Sequence, residues 1–380
     1  MNIIIAPDSF KGNISAVQAA EAMEKGVKNA SEAIKVIKIP IADGGEGTVD
    51  AFLAAKGGTK KHTRVTGPTG NIVDSFWGIM EGEPKTAVIE MAAAAGIELV
   101  PPPEQNPLYT TTYGVGELIL EAIDNNCQKI ILGLGGSATN DGGMGMAQAL
   151  GVKFYDGEGN ELEGKGRNLE KITALDISNT NPRIKETEVI AASDVQNLLL
   201  GSEGATYIYG PQKGADQHAL YLLENGMHNY AQHVKNYTGI DIDNTPGAGA
   251  AGGLGAGLVA FAAAKIMSGI EVILNNTQLE SFLEDASLVI TGEGKTDAQT
   301  AFGKVPVGVS RIAQNKGVPV VCLSGALENG FEEIYHQGII AAFSSIKAPM
   351  SLDDAMEKSP QMLSQASEAI ARLVLAFINL

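Results

Sequence analysis

Short apolar runs alternate with helix-like segments at both ends of this chain, and no other feature limits its possible folds as much. Asn2-Ile3-Ile4-Ile5-Ala6 reads as a strand, Ser15 as the cap of a helix reaching about Asn29, residues 34–39 as a strand and 46–55 as a helix. Towards the other end, 288–291, 319–323 and 339–343 read as strands, with helical patterns over 305–315 and 352–378. Strands that alternate with helices pair side by side in parallel, with the helices covering both faces.

The middle differs. Arg64-Val65-Thr66-Gly67-Pro68-Thr69-Gly70 is a turn cluster, and 72–79 and 86–91 look like antiparallel strands around the turn-rich Glu81-Gly82-Glu83-Pro84. Pro101-Pro102-Pro103 marks a connector. The expected class is α/β with two different α/β domains. A flavodoxin- or Rossmann-like parallel-sheet domain takes residues 1–66 plus 286–380, and a second α/β domain is inserted as residues 67–285.

Composition excludes several functions. At 44% hydrophobic and 19% charged, 380 residues can bury two ordinary cores. A net charge of −17 opposes a nucleic-acid backbone as partner. Cys127 and Cys322 form no metal-ligand cluster, which fits a reducing, cytoplasmic setting without structural zinc. The uncharged stretch 246–264 is rich in Gly and Ala and suits a buried helix better than a membrane span. A homo-oligomer is left open.

Chemistry concentrates where the apolar runs end. After Ile130-Ile131-Leu132 comes Gly133-Leu134-Gly135-Gly136-Ser137-Ala138-Thr139-Asn140-Asp141-Gly142-Gly143, then a helix-like segment over 144–150. Glycines leave backbone N–H groups unshielded, which lets a loop close around phosphate oxygens. Gly135, Gly136, Ser137, Thr139 and Asn140 are therefore expected to bind phosphate or nucleotide. Asp8-Ser9-Phe10-Lys11-Gly12, Asp43-Gly44-Gly45-Glu46-Gly47, Ser193-Asp194-Val195 and Glu293-Gly294-Lys295-Thr296-Asp297 follow other strand-like runs. In open α/β sheets ligands sit beyond the carboxyl ends of strands, so such loops suit phosphoryl transfer, which needs positioning and charge neutralisation.

Lookalike motifs fail on context. Gly294-Lys295-Thr296 resembles the end of a Walker loop, but Val289 stands where its first glycine belongs. Residues 133–138 fit G-x-G-x-x-A, which leaves a dinucleotide-dependent oxidoreductase of a small hydroxy acid as the alternative function. Gly247-Ala248-Gly249-Ala250-Ala251-Gly252 follows no strand and reads as a helix start close to another backbone or a ligand. A non-enzymatic organic-acid sensor is the third class, and the acidic loops speak against it.

The segments 6–11, 42–48, 135–143, 210–215, 246–253 and 291–297, with Gly303-Lys304-Val305-Pro306, resemble the signature segments of the bacterial type-1 glycerate kinase family, in order and across essentially the whole chain. The resemblance implies ATP-dependent phosphorylation of D-glycerate with Mg²⁺, giving 2-phosphoglycerate in preference, and two α/β domains, one inserted in the other. The family often carries Cys-Asp and then Asn-Pro where this chain has Ser193-Asp194 and Asn197-Leu198, which excludes a thiol role there.

Roles then follow from chemistry. Lys11 offers compact positive charge for the glycerate carboxylate or a transferring phosphoryl oxygen. Asp194 is placed to accept the substrate hydroxyl proton. Ser9, Asp43 and Glu46 join Lys11 on the substrate. Asp141, Glu293 and Asp297 are the expected Mg²⁺ ligands, an ion that takes only one or two carboxylates, although Asp43, Glu46, Asp141, Glu293 and Asp297 all compete for this task and for that of Asp194. None of the five histidines lies in a glycine-rich motif, so no histidine base is expected. The two groups of loops are expected to line one cleft between the domains.

Overall fold

The computed structural model describes residues 1–42 and 44–378. The chain divides into two compact units, Met1–Asp43 with Asp50–Gly57 and Ile270–Leu380, and Gly44–Val49 with Gly58–Gly269.

The first unit carries a five-stranded parallel sheet in the order Ile339–Ser344, Val320–Ser324, Leu288–Gly292, Asn2–Pro7, Lys35–Lys38. Counted along the chain this is 2-1-3-4-5, the flavodoxin-like order, whose direction reverses between Asn2–Pro7 and Leu288–Gly292. Burial on both faces explains the unbroken apolar runs. Ile3, Ile5, Leu288, Ile290 and Leu323 pack with Met23, Val27, Leu363 and Ile370 on one face, and the helix Val305–Asn315 contacts the sheet as well. Ser15 caps the helix Ala16–Ala30 in a reciprocal box with Gln18. That helix crosses Ser359–Ile378 so closely that a Cβ on Gly26 would stand 1.9 Å from the Ser364 carbonyl oxygen. Ser367 Oγ donates across the crossing to the Met23 carbonyl at 2.9 Å.

The second unit holds a six-stranded mixed sheet. Lys265–Met267, Glu188–Ala192, Lys129–Gly133 and Thr86–Glu90 run parallel, and Ile72–Met80 and Gly58–Thr66 continue antiparallel. One apolar cluster joins Trp77, Ile89, Leu118, Ile130 and Leu254, and another joins Phe154, Leu169, Met227, Tyr230 and Phe261.

Four boundaries differ from the sequence reading. Residues 44–49 group with the second unit. The segment 58–66 is a strand of the second unit, paired residue for residue from Gly58↔Met80 to Thr66↔Ile72. Its charged sequence hides it because it is an edge strand with only Val65 buried. Residues 270–285 belong to the first unit: Ile270 and Leu274 pack so tightly on Gly308 that a Cβ there would meet Ile270 Cγ1 at 2.5 Å. The helix expected within 246–264 is interrupted. Ala251, Gly252 and Gly253 have φ of 53°, 65° and 87°, so regular helix follows only after them.

Candidate active site

In the second unit the strands Lys129–Gly133 and Glu188–Ala192 end side by side, with Gly133 opposite Ala192. The glycine loop leaves from the first. Leu134 N–H donates to the Ala192 carbonyl at 3.1 Å, Gly135 N–H to Gly44 at 3.2 Å and Ala138 N–H to Ala95 at 2.9 Å. A Cβ on Gly135 would lie 2.6 Å from Gly45 Cα, so only glycine admits this approach. Gly136 is exposed with φ of 75°. Among the described residues its N–H and that of Ser137 donate to no protein acceptor. Successive unpaired N–H groups around a left-handed glycine can form a concavity that anions occupy.

Beneath this rim the loop is buried and polar. Thr139, Asn140 and Asp141 are fully buried. Asp141 Oδ2 accepts from Thr112 N–H and Oγ1, both at 2.8 Å, and from Gly145 N–H at 3.2 Å, while Oδ1 accepts from Gly143 N–H at 3.1 Å. Burial raises its carboxyl pKa against those four donors. An oxygen pair so committed organises the loop, and of the expected Mg²⁺ ligands Asp141 is the one its surroundings support least. Lys213 Nζ, also buried, donates to the Thr139 carbonyl at 2.6 Å. Burial lowers its pKa to about 7, opposed by the charge of Asp141. Thr139 Oγ1 and Asn140 Oδ1 have no hydrogen-bond partner among the described residues. The segment 247–253 backs the loop from behind: Gly142 N–H donates to the Gly252 carbonyl at 3.1 Å, and a Cβ on Gly252 would stand 2.0 Å from the Thr139 carbonyl oxygen. Close backbone approach is therefore what those glycines serve.

Asp194 follows the neighbouring strand. It is exposed, and its Oδ1 accepts from Ser268 Oγ at 2.8 Å. Glu46 is exposed in the same unit, beside Gly45. Asp43 lies outside the described residues.

In the first unit Ser9 and Lys11 follow Asn2–Pro7, and Glu293 follows Leu288–Gly292. The strand ends are tied by Asp8 N–H to the Gly292 carbonyl at 2.8 Å. Ser9, Lys11 and Glu293 line one cavity of about 600 Å³, at the point where the strand order reverses. Glu293 is buried and accepts from Thr300 Oγ1 at 2.6 Å and Thr296 Oγ1 at 3.1 Å. Burial raises its pKa, which those hydroxyls and Lys304 oppose. Asp297 caps the short helix Ala298–Phe302 and faces Lys304 at 3.6 Å and Lys295 at 3.7 Å. Burial pushes its carboxyl up, but the two lysines and the Gln299 and Thr300 N–H groups leave it below the ordinary value.

Among the described residues no three His, Cys, Asp or Glu converge as a preformed metal cage. Mg²⁺ needs none, because phosphate oxygens and water complete its shell around one or two carboxylates. Glu293 and Asp297 supply the hard oxygen donors it prefers. Sequence reasoning missed Lys213, although its segment 210–215 was noticed, and missed Lys295 and Lys304 as groups lining the cavity. Lys304 was legible as the residue before Val305-Pro306, a helix start that holds it beside Asp297.

The dinucleotide alternative does not survive. A Rossmann helix starts at the third small residue of its motif, whereas here the helix Met144–Ala149 begins well after Ala138 and is six residues long.

A family model described as the glycerate kinase family matches residues 3–375. The chain is 46% identical to glycerate kinase of Halalkalibacterium halodurans, over 97% of each protein. It is also 46% identical to glycerate 2-kinase of Escherichia coli, over 98% of this chain and 97% of the relative. A crystal structure described as glycerate kinase 2 from Salmonella typhimurium LT2 superposes with a TM-score of 0.89, at 42% identity and full coverage of both chains.

Proposed function

Because the chain belongs to the glycerate kinase family, we propose that it transfers the γ-phosphoryl group of ATP, supplied with Mg²⁺, to D-glycerate and yields 2-phosphoglycerate. The activity is that of a glycerate kinase, a phosphotransferase acting on an alcohol group. The 2-position rests on the Escherichia coli relative, which is a glycerate 2-kinase.

The observation that carries the reading is the loop at Gly133–Gly143, whose Gly136 and Ser137 N–H groups have no protein acceptor among the described residues. Phosphoryl oxygens would take those donors, with Ser137 Oγ beside them and Gly135 allowing the close approach. Thr139 and Asn140 set the loop from below. Ser9 and Lys11 would hold the glycerate carboxylate, and Asp43 and Glu46 would accept from the glycerate hydroxyls. Asp194 would accept the proton of the attacking hydroxyl. The O–P bond to glycerate then forms as the bond between the γ-phosphorus and the β–γ bridging oxygen breaks, and ADP leaves. Glu293 and Asp297 are the residues that would hold Mg²⁺, which neutralises charge on the transferring phosphates.

The test is ADP release from ATP with D- or L-glycerate in the presence of Mg²⁺, with the product's phosphate position read by phosphorus NMR. D-glycerate-dependent release and a 2-phosphate signal are expected. Folded protein that releases no ADP with D-glycerate across several divalent metals would overturn the reading, and a 3-phosphate signal would overturn its regiochemistry.

A further inference from the structure

The cavity of the first unit is too large and too apolar for the acceptor alone. It opens beyond the ends of Asn2–Pro7, Leu288–Gly292, Val320–Ser324 and Ile339–Ser344, the position where open α/β sheets bind their ligands. Its linings differ in chemistry. Loops contribute Lys11, Lys295 and Lys304 with Asp8, Glu293 and Glu328, three charges of each sign. The consecutive helices Leu352–Glu357 and Ser359–Ile378, with Ile346 before them, contribute Leu352, Ala355, Met356 and Met362.

A three-carbon acid has no use for the second lining, and about 600 Å³ falls within the about 300–1,000 Å³ typical of pockets for drug-sized ligands. Leu352 is 74% exposed, an apolar side chain that the fold itself leaves uncovered. Nor does the charged lining select a polyanion. Lys295 already pairs with Glu328 at 3.3 Å, and Lys304 with Asp297 at 3.6 Å. Selection must come from the apolar side.

The geometry points to this cavity as the seat of the nucleoside half of the phosphoryl donor. A purine lies against Leu352, Met356 and Met362, the ribose hydroxyls meet Glu328, and the phosphates leave past Lys295 and Lys304. The inference rests on the reading of the chain as an ATP-dependent kinase, and it assigns the base to the first unit, where neither motif nor loop pattern had placed it.

Calorimetric titration of the full chain with Mg·ADP, and separately with Mg·pyrophosphate, tests it without turnover. The variants are Met356→Trp, which fills the cavity, and Leu352→Asn, whose exposed site carries little folding burden. Met356→Trp should weaken ADP at least about tenfold and Leu352→Asn about fivefold, from lost apolar contact. Pyrophosphate affinity should stay unchanged. If wild type fails to bind ADP, the ATP reading falls and the inference with it. If wild type binds ADP and Leu352→Asn binds it equally well, only the placement of the base falls. Equal loss of ADP and pyrophosphate would also overturn it, by making the cavity a phosphate site. Should Met356→Trp not fold, Leu352→Asn decides alone.

Discussion

Replacing Lys213 by methionine should remove a pH dependence of stability that the buried lysine gives the wild type. Lys213 is 2% exposed and bonds the Thr139 carbonyl, and burial brings its pKa from 10.5 to about 7, with Asp141 pulling the other way. Each pH unit of that displacement corresponds to about 1.4 kcal/mol, so the charged lysine costs the folded state about 5 kcal/mol. The sign follows from proton counting. Between about pH 7 and 10.5 the unfolded chain keeps the proton that the folded chain has lost, so wild-type stability rises with pH. The penalty is complete below about 7 and gone above 10.5. The methionine variant lacks this proton but leaves the Thr139 carbonyl without its donor, a loss of about 1–3 kcal/mol at every pH. The stability difference should therefore move in favour of wild type by about 1.4 kcal/mol per pH unit across pH 7.5 to 9.5. Trp77, the single tryptophan, is buried in the unit that contains Lys213, so its fluorescence during urea unfolding reports the relevant transition. A difference that stays constant across those pH values would refute the neutral-lysine argument.

Other perturbations separate stability from chemistry. Gly136→Val should cost about 1 kcal/mol for the left-handed backbone yet lower kcat/KM at least about a hundredfold by obstructing phosphate approach; thermal melting and kinetics on one sample tell the two effects apart, and full activity in the folded fraction would reduce the loop to a turn. Gly26→Ala should destabilise the first unit by about 2 kcal/mol through the collision with Ser364, seen as a lower denaturation midpoint. Asp194→Asn should reduce kcat by about 10²–10⁴ with the KM for glycerate little changed; an unchanged kcat would remove Asp194 from the proton transfer.

What the sequence disclosed follows a physical divide. The core strands of the first unit were legible because burial on both faces forces continuous apolar runs, and 305–315 matches its helix because the apolar period and the Pro306 start agree. The strand Gly58–Thr66 was not, since an edge strand can be charged along its length: Lys60 even lies over the Phe76 ring, 4.0 Å from its centroid. The glycine loop was found by composition, but composition treats Thr139, Asn140 and Asp141 as equals of Ser137. Only the fold shows that Ser137 stays near solvent while Asp141 is enclosed by donors from Thr112, Gly143 and Gly145. Thr112 and Lys213 are distant in the chain, and no local pattern announces that they meet this loop. A carboxylate buried among four donors and a lysine bonded to the adjacent carbonyl fix the loop's lower side. In the proposed reaction the N–H groups of Gly136 and Ser137 would thereby be held in place before phosphate arrives, and donors that need no rearrangement during a reaction are those that lower its barrier most.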